Sequence, residues 1–277
     1  MVSIRYGTKM LCLRYSTAAT LWINMPIQAI TFDFWSTLYH YIESPRVRQR
    51  QEIQKMLLAY GHQYPEQQVT DAMKKAWQIW DDIWRTDHYT PEADAWLGFV
   101  IENLNVDLPK SVLEETASIL EKSVLTDATQ PVDGVPEILK KLSTKYRLGI
   151  ISDTGLGKGN VLRTLLERDS LLSYFSHFTF SDEFGRSKPH ADVFSATLKG
   201  LNVKSHQAIH IGDLRHTDIA GAQKAGMSSI RFAGIRDDKD ENYPEANLII
   251  YNYNELEEAL NKLEIMPSGA RNNATPQ

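Results

Sequence analysis

Short, nearly continuous runs of apolar residues alternate with helical patterns along most of this chain, and this alternation constrains the fold more than any other feature. A strand that is buried on both faces has such a run, because helices cover both sides of a parallel sheet. Six runs are predicted as strands: QAITFDF (28–34), RLGIIS (147–152), FTFS (178–181), AIHIGD (208–213), SSIRFAG (228–234) and NLIIY (247–251). Helical patterns lie between them, at 135–145, 191–201, 217–226 and 254–263. The alternation predicts an α/β fold with a doubly wound parallel sheet.

One long segment interrupts this alternation. From about residue 43 to residue 129 no strand is predicted, whereas three stretches have helical spacing: 45–61, 71–85 and 109–125. One face of the second stretch carries large apolar residues every three or four positions: Met73, Trp77, Trp80 and Trp84. We interpret the segment as a helical module inserted between the first two strands. We interpret the apolar face as the core of that module rather than as a ligand site.

The ends of the chain differ in composition from the middle. Residues 1–24 contain basic but no acidic residues, and 15–32 carry no charge. We reject a membrane span there, because the stretch contains several polar residues and Pro26 and continues into the first strand. We expect Met25 to be the true start, preceded by a disordered extension at 1–24; a transit peptide is the alternative. We also expect the tail, 266–277, to be disordered.

Charge and cysteine content limit the partners and the compartment. The net charge is −5, and acidic and basic residues are interspersed, whereas a nucleic-acid-binding protein normally has a basic face. We therefore expect neither a nucleic-acid nor a membrane partner. Cys12 is the only cysteine, so no intrachain disulfide can form. This suits a reducing compartment, and a cytoplasmic location is expected unless the basic extension targets an organelle. The oligomeric state is not predicted.

Polar side chains follow the predicted strands at their carboxyl ends. These residues, with the lysine of the segment GRSKPH, are Asp33, Ser152, Asp153, Lys188, Asp213 and Asp218. Ligands of an open parallel sheet bind beyond the carboxyl ends of its strands, so we expect these side chains to converge at one edge. Acidic side chains that meet there repel one another unless a cation joins them, and Mg²⁺ prefers carboxylates, waters and phosphate oxygens. A carboxylate can also attack phosphorus and form an aspartyl-phosphate.

In these features the sequence resembles the haloacid dehalogenase-like hydrolases (the HAD family). The four motifs of the family are found in order, as DFWSTL, IISD, Lys188 followed by Pro189, and GDLRHTD. The resemblance covers roughly residues 27–265. It implies a HAD-like, Rossmann-type core at 25–42 and 130–265 and a helical C1 cap at 43–129.

The resemblance also implies roles for individual residues. Asp33 is expected to be the nucleophile and, with Asp213 and the backbone carbonyl of Trp35, a ligand of Mg²⁺. Asp218 is expected to support the metal or Lys188 from close by. Ser152 and Lys188 are expected to bind the phosphoryl group. Asp153 stands where many relatives have Asn, and either substrate contact or a role in the turn fits it.

Trp35 departs from the pattern of the family's phosphomonoesterases, which have a second Asp two residues after the nucleophile. That Asp protonates the leaving group and then activates water, and such acid–base help contributes about 10²–10⁴ in rate. An indole N–H is only a donor and does not titrate usefully, so Trp35 cannot replace it. Three explanations remain: a leaving group that needs no proton; a proton from His40, His190 or a cap residue; or slow turnover with binding as the main role.

The predicted function is Mg²⁺-dependent phosphatase-type phosphoryl transfer from a small phosphorylated metabolite through Asp33. The haloacid dehalogenases of the family also have an aromatic residue at the position of Trp35, so a 2-haloacid dehalogenase is the rival enzyme. The intact GDLRHTD motif favours the metal-dependent reaction, because a buried group of acids without a metal is costly. A catalytically weak binding protein is the further alternative. On the evidence of Trp35 alone, aryl phosphates are expected to react much faster than alkyl phosphates.

Overall fold

A computed structural model of the chain describes residues 26–125 and 129–265. The predicted extension at 1–24, the predicted start at Met25 and the predicted tail at 266–277 lie outside the described residues. No helix in the described part of the chain is long and apolar enough to cross a membrane.

The sheet that dominates the structure contains six parallel strands in the order β5-β4-β1-β6-β7-β8. Its strands are β1 (Ala29–Phe32), β4 (Arg147–Ser152), β5 (Phe175–Phe180), β6 (Ala208–Gly212), β7 (Ser228–Phe232) and β8 (Leu248–Ile250). Every residue of β1, β6 and β7 is buried, as the continuous apolar runs predict. The predicted α/β fold with a parallel sheet is therefore confirmed.

The helices of the sheet region follow the predicted alternation, with some differences. They are α5 (Val135–Leu142), α6 (Gly159–Arg168), α7 (Ser181–Phe184), α8 (Ala191–Gly200), α9 (Ala220–Lys224) and α10 (Leu256–Ile265). Helix α6 was not predicted; its first turn contains a glycine, which weakens the helical signal. The predicted helix at 217–226 is instead a π-helical turn, Arg215–Ile219, that continues into α9. The strand predicted at 178–181 begins at Phe175.

Four helices lie between two short strands, β2 (Tyr39–Tyr41) and β3 (Thr129–Pro131), which pair antiparallel. They are α1 (Arg46–Ala59), α2 (Glu66–Asp87), α3 (Ala93–Leu104) and α4 (Lys110–Lys122). Apolar residues of these helices form a buried cluster that is separate from the clusters on the sheet. We call this helical part the cap. The β2–β3 pair and α3 were not predicted, and the domain boundaries at residues 43 and 129 stay a prediction.

The central position of β1 decides where the site forms. β1 pairs with β4 on one side and with β6 on the other, and Phe32 is in register with both Ile150 and Ile211. β1 therefore ends one residue before β6 and two residues before β4, so Asp33 and Asp213 leave neighbouring parallel strands within one residue of the same level.

Candidate functional site

A tight turn after β1 holds Asp33 at the edge of the sheet. The backbone N–H of Asp33 donates to the carbonyl of Ile211 (2.8 Å), and both Leu38 and Tyr39 donate to the carbonyl of Phe34 (2.9 Å each). Phe34 is buried and its ring stacks on Tyr39, which anchors the turn in the core. Asp33 is only 6% exposed, so its carboxylate is held in a nearly dry environment.

Lys188 joins two of the buried acids. Its Nζ donates to Asp33 Oδ1 (2.5 Å) and to Asp218 Oδ1 (2.7 Å), and its side chain is 2% exposed. Carboxylates from β1 and from the turn after β6 are therefore bridged by one ammonium group. Such a bridge fixes the orientation of Asp33 at the point where the sequence places a nucleophile.

Asp218 is surrounded by donors. Besides Lys188, its Oδ1 is 3.1 Å from Nε2 of His210, and its Oδ2 accepts from the backbone N–H of Leu214 (3.0 Å). The Nδ1 of His210 lies 2.8 Å from the hydroxyl of Thr31. Since an ionised carboxylate can only accept, Nε2 of His210 carries the proton and Nδ1 accepts from Thr31. Burial lowers the pKa of His210, which favours this neutral ring.

Three carboxylates meet at the edge of the sheet. One oxygen from each of Asp33, Asp213 and Asp218 lies within 4.8 Å of the others, and all three residues are buried. The negative charge of Asp213 is the least well balanced of the three. The cation paired with Asp213 is Arg236, whose Nε is 3.7 Å from Asp213 Oδ2. The structure thus brings together the three side chains predicted as metal ligands.

Burial and mutual repulsion shift the pKa values of these acids apart. Burial raises the pKa of Asp33 to about 7, with a further rise from Asp218, although Lys188 opposes both. Burial and the neighbouring Asp33 raise the pKa of Asp213 well above its usual value. Burial acts on Asp218 in the same sense, but Lys188 and His210 outweigh it and lower its pKa below the usual value.

The balance of charges at the site indicates whether a divalent cation fits there. Lys188 supplies one positive charge to both Asp33 and Asp218, and the cation paired with Asp213 is the exposed Arg236 at 3.7 Å, so the three buried carboxylates are only partly neutralised. A hard cation among the three carboxylates removes this imbalance and takes only oxygen ligands. The three carboxylates present therefore fit a divalent cation such as Mg²⁺.

Asp153 and Ser152 follow one another at the end of β4 but differ in their surroundings. Asp153 accepts from the backbone N–H of Lys188 (2.9 Å) and from Nε1 of Trp84 on α2 (3.0 Å). Burial raises the pKa of Asp153 to about 6. The hydroxyl of Ser152 is buried and lies 3.4 Å from the carbonyl of Asp153. A role of Ser152 in binding a phosphoryl group stays a prediction.

Trp35, His40 and His190 place no proton-donating acid at the site. The ring of Trp35 stacks on Tyr41 of β2, 4.9 Å between centroids. His40 contacts Gln130 across the β2–β3 pair (3.2 Å), and His190 accepts from the backbone of Asp192 at the start of α8. Neither histidine lines the cavity described next, so neither is placed to transfer the proton that Trp35 cannot.

A cavity of about 410 Å³ lies over the acidic group, between the sheet and the cap; we call it the inner cavity. Its lining includes six of the predicted site residues: Asp33, Trp35, Asp153, Lys188, Asp213 and Asp218. Ser152 is not among them. Other lining residues were not predicted, among them Arg46, Asp81 and Arg236.

The tryptophans of α2 belong to both the cap core and the site. Trp80 and Trp84 are part of the buried cluster of the cap, as their spacing predicts, but they also line the inner cavity together with Trp77. Helical spacing identified their common face and could not show that its edge faces the sheet. Arg236 and Asp81 had no signal in the sequence, since isolated charged residues are common on surfaces.

Comparison with known proteins gives the family. The family model described as haloacid dehalogenase-like hydrolase matches residues 87–232. The chain is 35% identical over 136 residues to the glyceraldehyde 3-phosphate phosphatase of Pyrococcus furiosus, covering 47% of this chain and 55% of that protein. It therefore spans about half the length of that relative. It is 25% identical over 240 residues to the protein of the same name from Methanocaldococcus jannaschii, covering 84% of this chain and 95% of that one.

A solved structure extends the comparison to the fold. The 2-haloacid dehalogenase from Pseudomonas syringae pv. Tomato DC3000 superposes with a TM-score of 0.62 at 22% identity, covering 85% of this chain and 99% of that one. The shared fold does not distinguish a phosphatase from a dehalogenase. The match of the family model over more than half of the chain, together with the ordered motifs at the edge of the sheet, shows that the chain belongs to the haloacid dehalogenase-like hydrolase family.

Proposed function

We propose that this hydrolase is a Mg²⁺-dependent phosphatase that acts on a small phosphorylated metabolite through an aspartyl-phosphate on Asp33. The observation that carries the proposal is the group of three buried carboxylates within 4.8 Å of one another, with Lys188 bonded to two of them. The phosphatase names of the relatives that align with this chain support it.

In this proposal Asp33 attacks the phosphorus, and the bond from phosphorus to the leaving oxygen breaks. Lys188 keeps Asp33 oriented and neutralises charge on the phosphoryl oxygens as they move toward the transition state. Asp33 and Asp213 hold the Mg²⁺, and Asp218 keeps Lys188 in place. When bound, the cation polarises the phosphoryl group and offsets its negative charge. Water then attacks the aspartyl-phosphate and frees Asp33.

Dehalogenation is the rival reaction, with Asp33 attacking carbon. The surroundings of Asp213 favour the phosphatase, because a dehalogenase gains nothing from a third buried acid whose paired cation is an exposed arginine at 3.7 Å. Trp35 is compatible with both reactions, since a halide and an acidic alcohol both leave without a proton. A binding protein with little catalytic activity is the third possibility, which an experiment has to distinguish from the two enzymes.

The test is a substrate panel with and without Mg²⁺, containing aryl phosphates, acyl phosphates and 2-haloacids. We expect Mg²⁺-dependent release of inorganic phosphate from p-nitrophenyl phosphate, and its loss in Asp33→Asn. Asp71→Asn, an exposed aspartate on α2 that lines no part of the inner cavity, is the matched control and keeps full activity. Halide release without metal identifies a dehalogenase instead. The absence of both phosphate release and halide release over the whole panel identifies a binding protein.

We also propose a cytoplasmic location, on the basis of the single cysteine. Imaging of the full-length chain with a C-terminal tag tests this, and accumulation in an organelle contradicts it.

A further inference from the structure

A second cavity, also of about 410 Å³, lies between α1 and α2 of the cap; we call it the outer cavity. Three side chains line both cavities: Arg46, Trp77 and Asp81. A substrate whose phosphoryl group lies at Asp33 and whose remaining part occupies the outer cavity would pass these three residues. They are the lining side chains that such a substrate would meet between its two parts.

We propose that Asp81 is the general acid and base that Trp35 cannot be. This inference rests on the proposed phosphatase function and names the residue that completes it. Arg46 and Trp77 have no proton to exchange at neutral pH, so Asp81 is the one titratable side chain among the three that line both cavities.

The other carboxylates of the inner cavity have other partners. Lys188 binds Asp33 and Asp218, and Asp213 belongs to the same acidic group. Both oxygens of Asp153 accept hydrogen bonds, from the backbone of Lys188 and from Trp84. Among the acids that line the inner cavity, Asp81 alone is outside this network.

The surroundings of Asp81 suit proton transfer. Its Oδ2 accepts from Nε of Arg85, one turn later on α2 (2.7 Å), and its Oδ1 has no hydrogen-bond partner within the described part of the chain. Arg85 thus orients the carboxylate and leaves one oxygen available for a substrate or a water. The side chain of Asp81 is 46% exposed, so a substrate or a water in either cavity can reach its carboxylate.

Two hydrogen bonds hold this part of α2 against the sheet. Trp84, three residues after Asp81, donates to Asp153, and the carbonyl of His88 accepts from the backbone N–H of Ser187 (2.8 Å). Residues three apart on a helix lie on the same side, so the contact made by Trp84 also brings Asp81 toward the site. The cap therefore holds Asp81 at the inner cavity.

Asp81 gives up a proton in the first step of the reaction and regains one in the second. As Asp33 bonds to phosphorus, the leaving oxygen takes the electron pair of its bond to phosphorus and the proton of the Asp81 carboxyl group, and an alcohol departs. Asp81, now a carboxylate, removes a proton from the water that attacks the aspartyl-phosphate. The bond between phosphorus and Asp33 then breaks, inorganic phosphate is released, and Asp81 is again protonated. The substrate class that needs this help is a phosphate ester of an alkyl alcohol, whose alkoxide is a poor leaving group.

The experiment compares Asp81→Asn with the wild type in the full-length chain with Mg²⁺, using phosphate esters whose alcohols differ in acidity. We expect kcat/KM of Asp81→Asn to fall by about 10²–10⁴ for an alkyl phosphate such as propyl phosphate. For p-nitrophenyl phosphate we expect a change of at most a few fold, because nitrophenolate leaves without a proton. The variant should also release a burst of one p-nitrophenol per enzyme, since the aspartyl-phosphate accumulates without a base to activate water.

A further variant separates proton transfer from other effects of the substitution. Asp82→Asn changes a neighbouring acid that lines only the outer cavity. It should keep the wild-type ratio of alkyl to aryl reactivity. An equal loss for all esters in Asp81→Asn, or the same change of ratio in Asp82→Asn, overturns the assignment. A wild type that hydrolyses no phosphate ester refutes the proposed function itself, whereas an active wild type with an unchanged Asp81→Asn refutes only the role of Asp81.

Discussion

The turn that carries the nucleophile contains a residue with an unusual backbone. Ser36 has a φ of 57°, in the left-handed region that favours glycine. A residue with a Cβ atom costs about 1–2 kcal/mol there. Hydrogen bonds hold the turn nevertheless: Ser36 donates to the carbonyl of Tyr39 (2.7 Å), and Tyr253 donates to the carbonyl of Thr37 (2.9 Å).

We therefore expect Ser36→Gly to raise the free energy of unfolding by about 0.5–1 kcal/mol, because relief of the strain exceeds the entropy that glycine adds to the unfolded chain. Denaturant unfolding measures the change. Ser170→Gly is the matched control, since Ser170 has a φ of 60° and does not line the inner cavity; it should stabilise the protein by a similar amount. A loss of stability in Ser36→Gly means that the serine side chain has contacts that outweigh the strain.

Gly212 shows how closely the acidic group is packed. A Cβ atom at this position would lie 2.3 Å from Cγ of Asp218, which is far inside contact distance. Asp218 in turn holds Lys188, so a displacement at Gly212 passes on to the nucleophile. A side chain at position 212, the last residue of β6, is therefore incompatible with the position of Asp218.

We expect Gly212→Ala to destabilise the protein by about 1–3 kcal/mol, and to lower phosphate release by at least about 10², as a misplacement near the reacting groups does. Thermal unfolding and steady-state kinetics measure the two effects. Gly98→Ala is the control, because a Cβ atom there meets nothing within 4 Å and lies inside α3. It should be neutral or slightly stabilising. Normal activity in Gly212→Ala contradicts the packing argument.

At the scale of the elements, helix α2 connects the cap to the chemistry. Nε1 of Trp80 donates to the carbonyl of Pro91 within the cap (2.8 Å), while Nε1 of Trp84 donates to Asp153 at the end of β4 (3.0 Å). The same helix face thus packs inside the cap over most of its length and binds the sheet region at its end. The position of Asp81 depends on the second contact.

Trp84→Phe should destabilise the protein by about 1–3 kcal/mol, because it leaves an oxygen of the buried Asp153 without a donor. Loss of that donor raises the pKa of Asp153 further. The free energy of unfolding therefore falls mainly when the carboxyl group of Asp153 is ionised. The destabilisation should therefore be larger at pH 8, above the Asp153 pKa of about 6, than at pH 5. Denaturant unfolding at both pH values measures it. Trp80→Phe, which loses a bond to a carbonyl, should show the same cost at both, and a pH-independent Trp84→Phe contradicts the assignment.

For the molecule as a whole, the unbalanced acids predict a dependence of stability on metal and pH. The folded pKa values of Asp33 (about 7) and Asp213 lie above the unfolded value of 3.8. A group with a raised folded pKa stabilises the protein below its unfolded pKa, and this contribution is lost as the pH rises through the folded value. The buried His210 and His216 have lowered pKa values, so their effect falls mainly below about pH 6.5.

The melting temperature of the metal-free protein should therefore fall between about pH 6.5 and pH 7.5, around the folded pKa of Asp33 (about 7), and Mg²⁺ should raise it more at the higher pH. Bound cations stabilise the ionised carboxylates that burial disfavours. Differential scanning calorimetry in EDTA and in Mg²⁺ at matched ionic strength measures both effects. Asp213→Asn should weaken the response to Mg²⁺ and the fall with pH. A melting temperature that is independent of Mg²⁺ throughout this range contradicts the metal site.

Much of the sheet and of its acidic edge could be predicted because the signals are local. The strand after residue 28 is a continuous apolar run, and Asp33 ends it whatever the rest of the chain does. Lys188 and Asp213 were identified from short motifs that stand in a recognisable order along the chain. His210 was hidden because a histidine inside an apolar run gives no sign of its partner, Asp218.

The sequence by itself determined the parallel sheet and the residues at its carboxyl edge, because burial on both faces dictates the composition of each strand over a few neighbouring positions. Only the tertiary structure decided what surrounds that edge: the hydrogen bond from Trp84 to Asp153, the approach of Arg236 to Asp213 and the presence of Asp81 in the lining of the inner cavity. These contacts join residues distant in the chain, and each depends on how the helical cap packs on the sheet. That packing is set by the shapes of two surfaces, which no local pattern encodes.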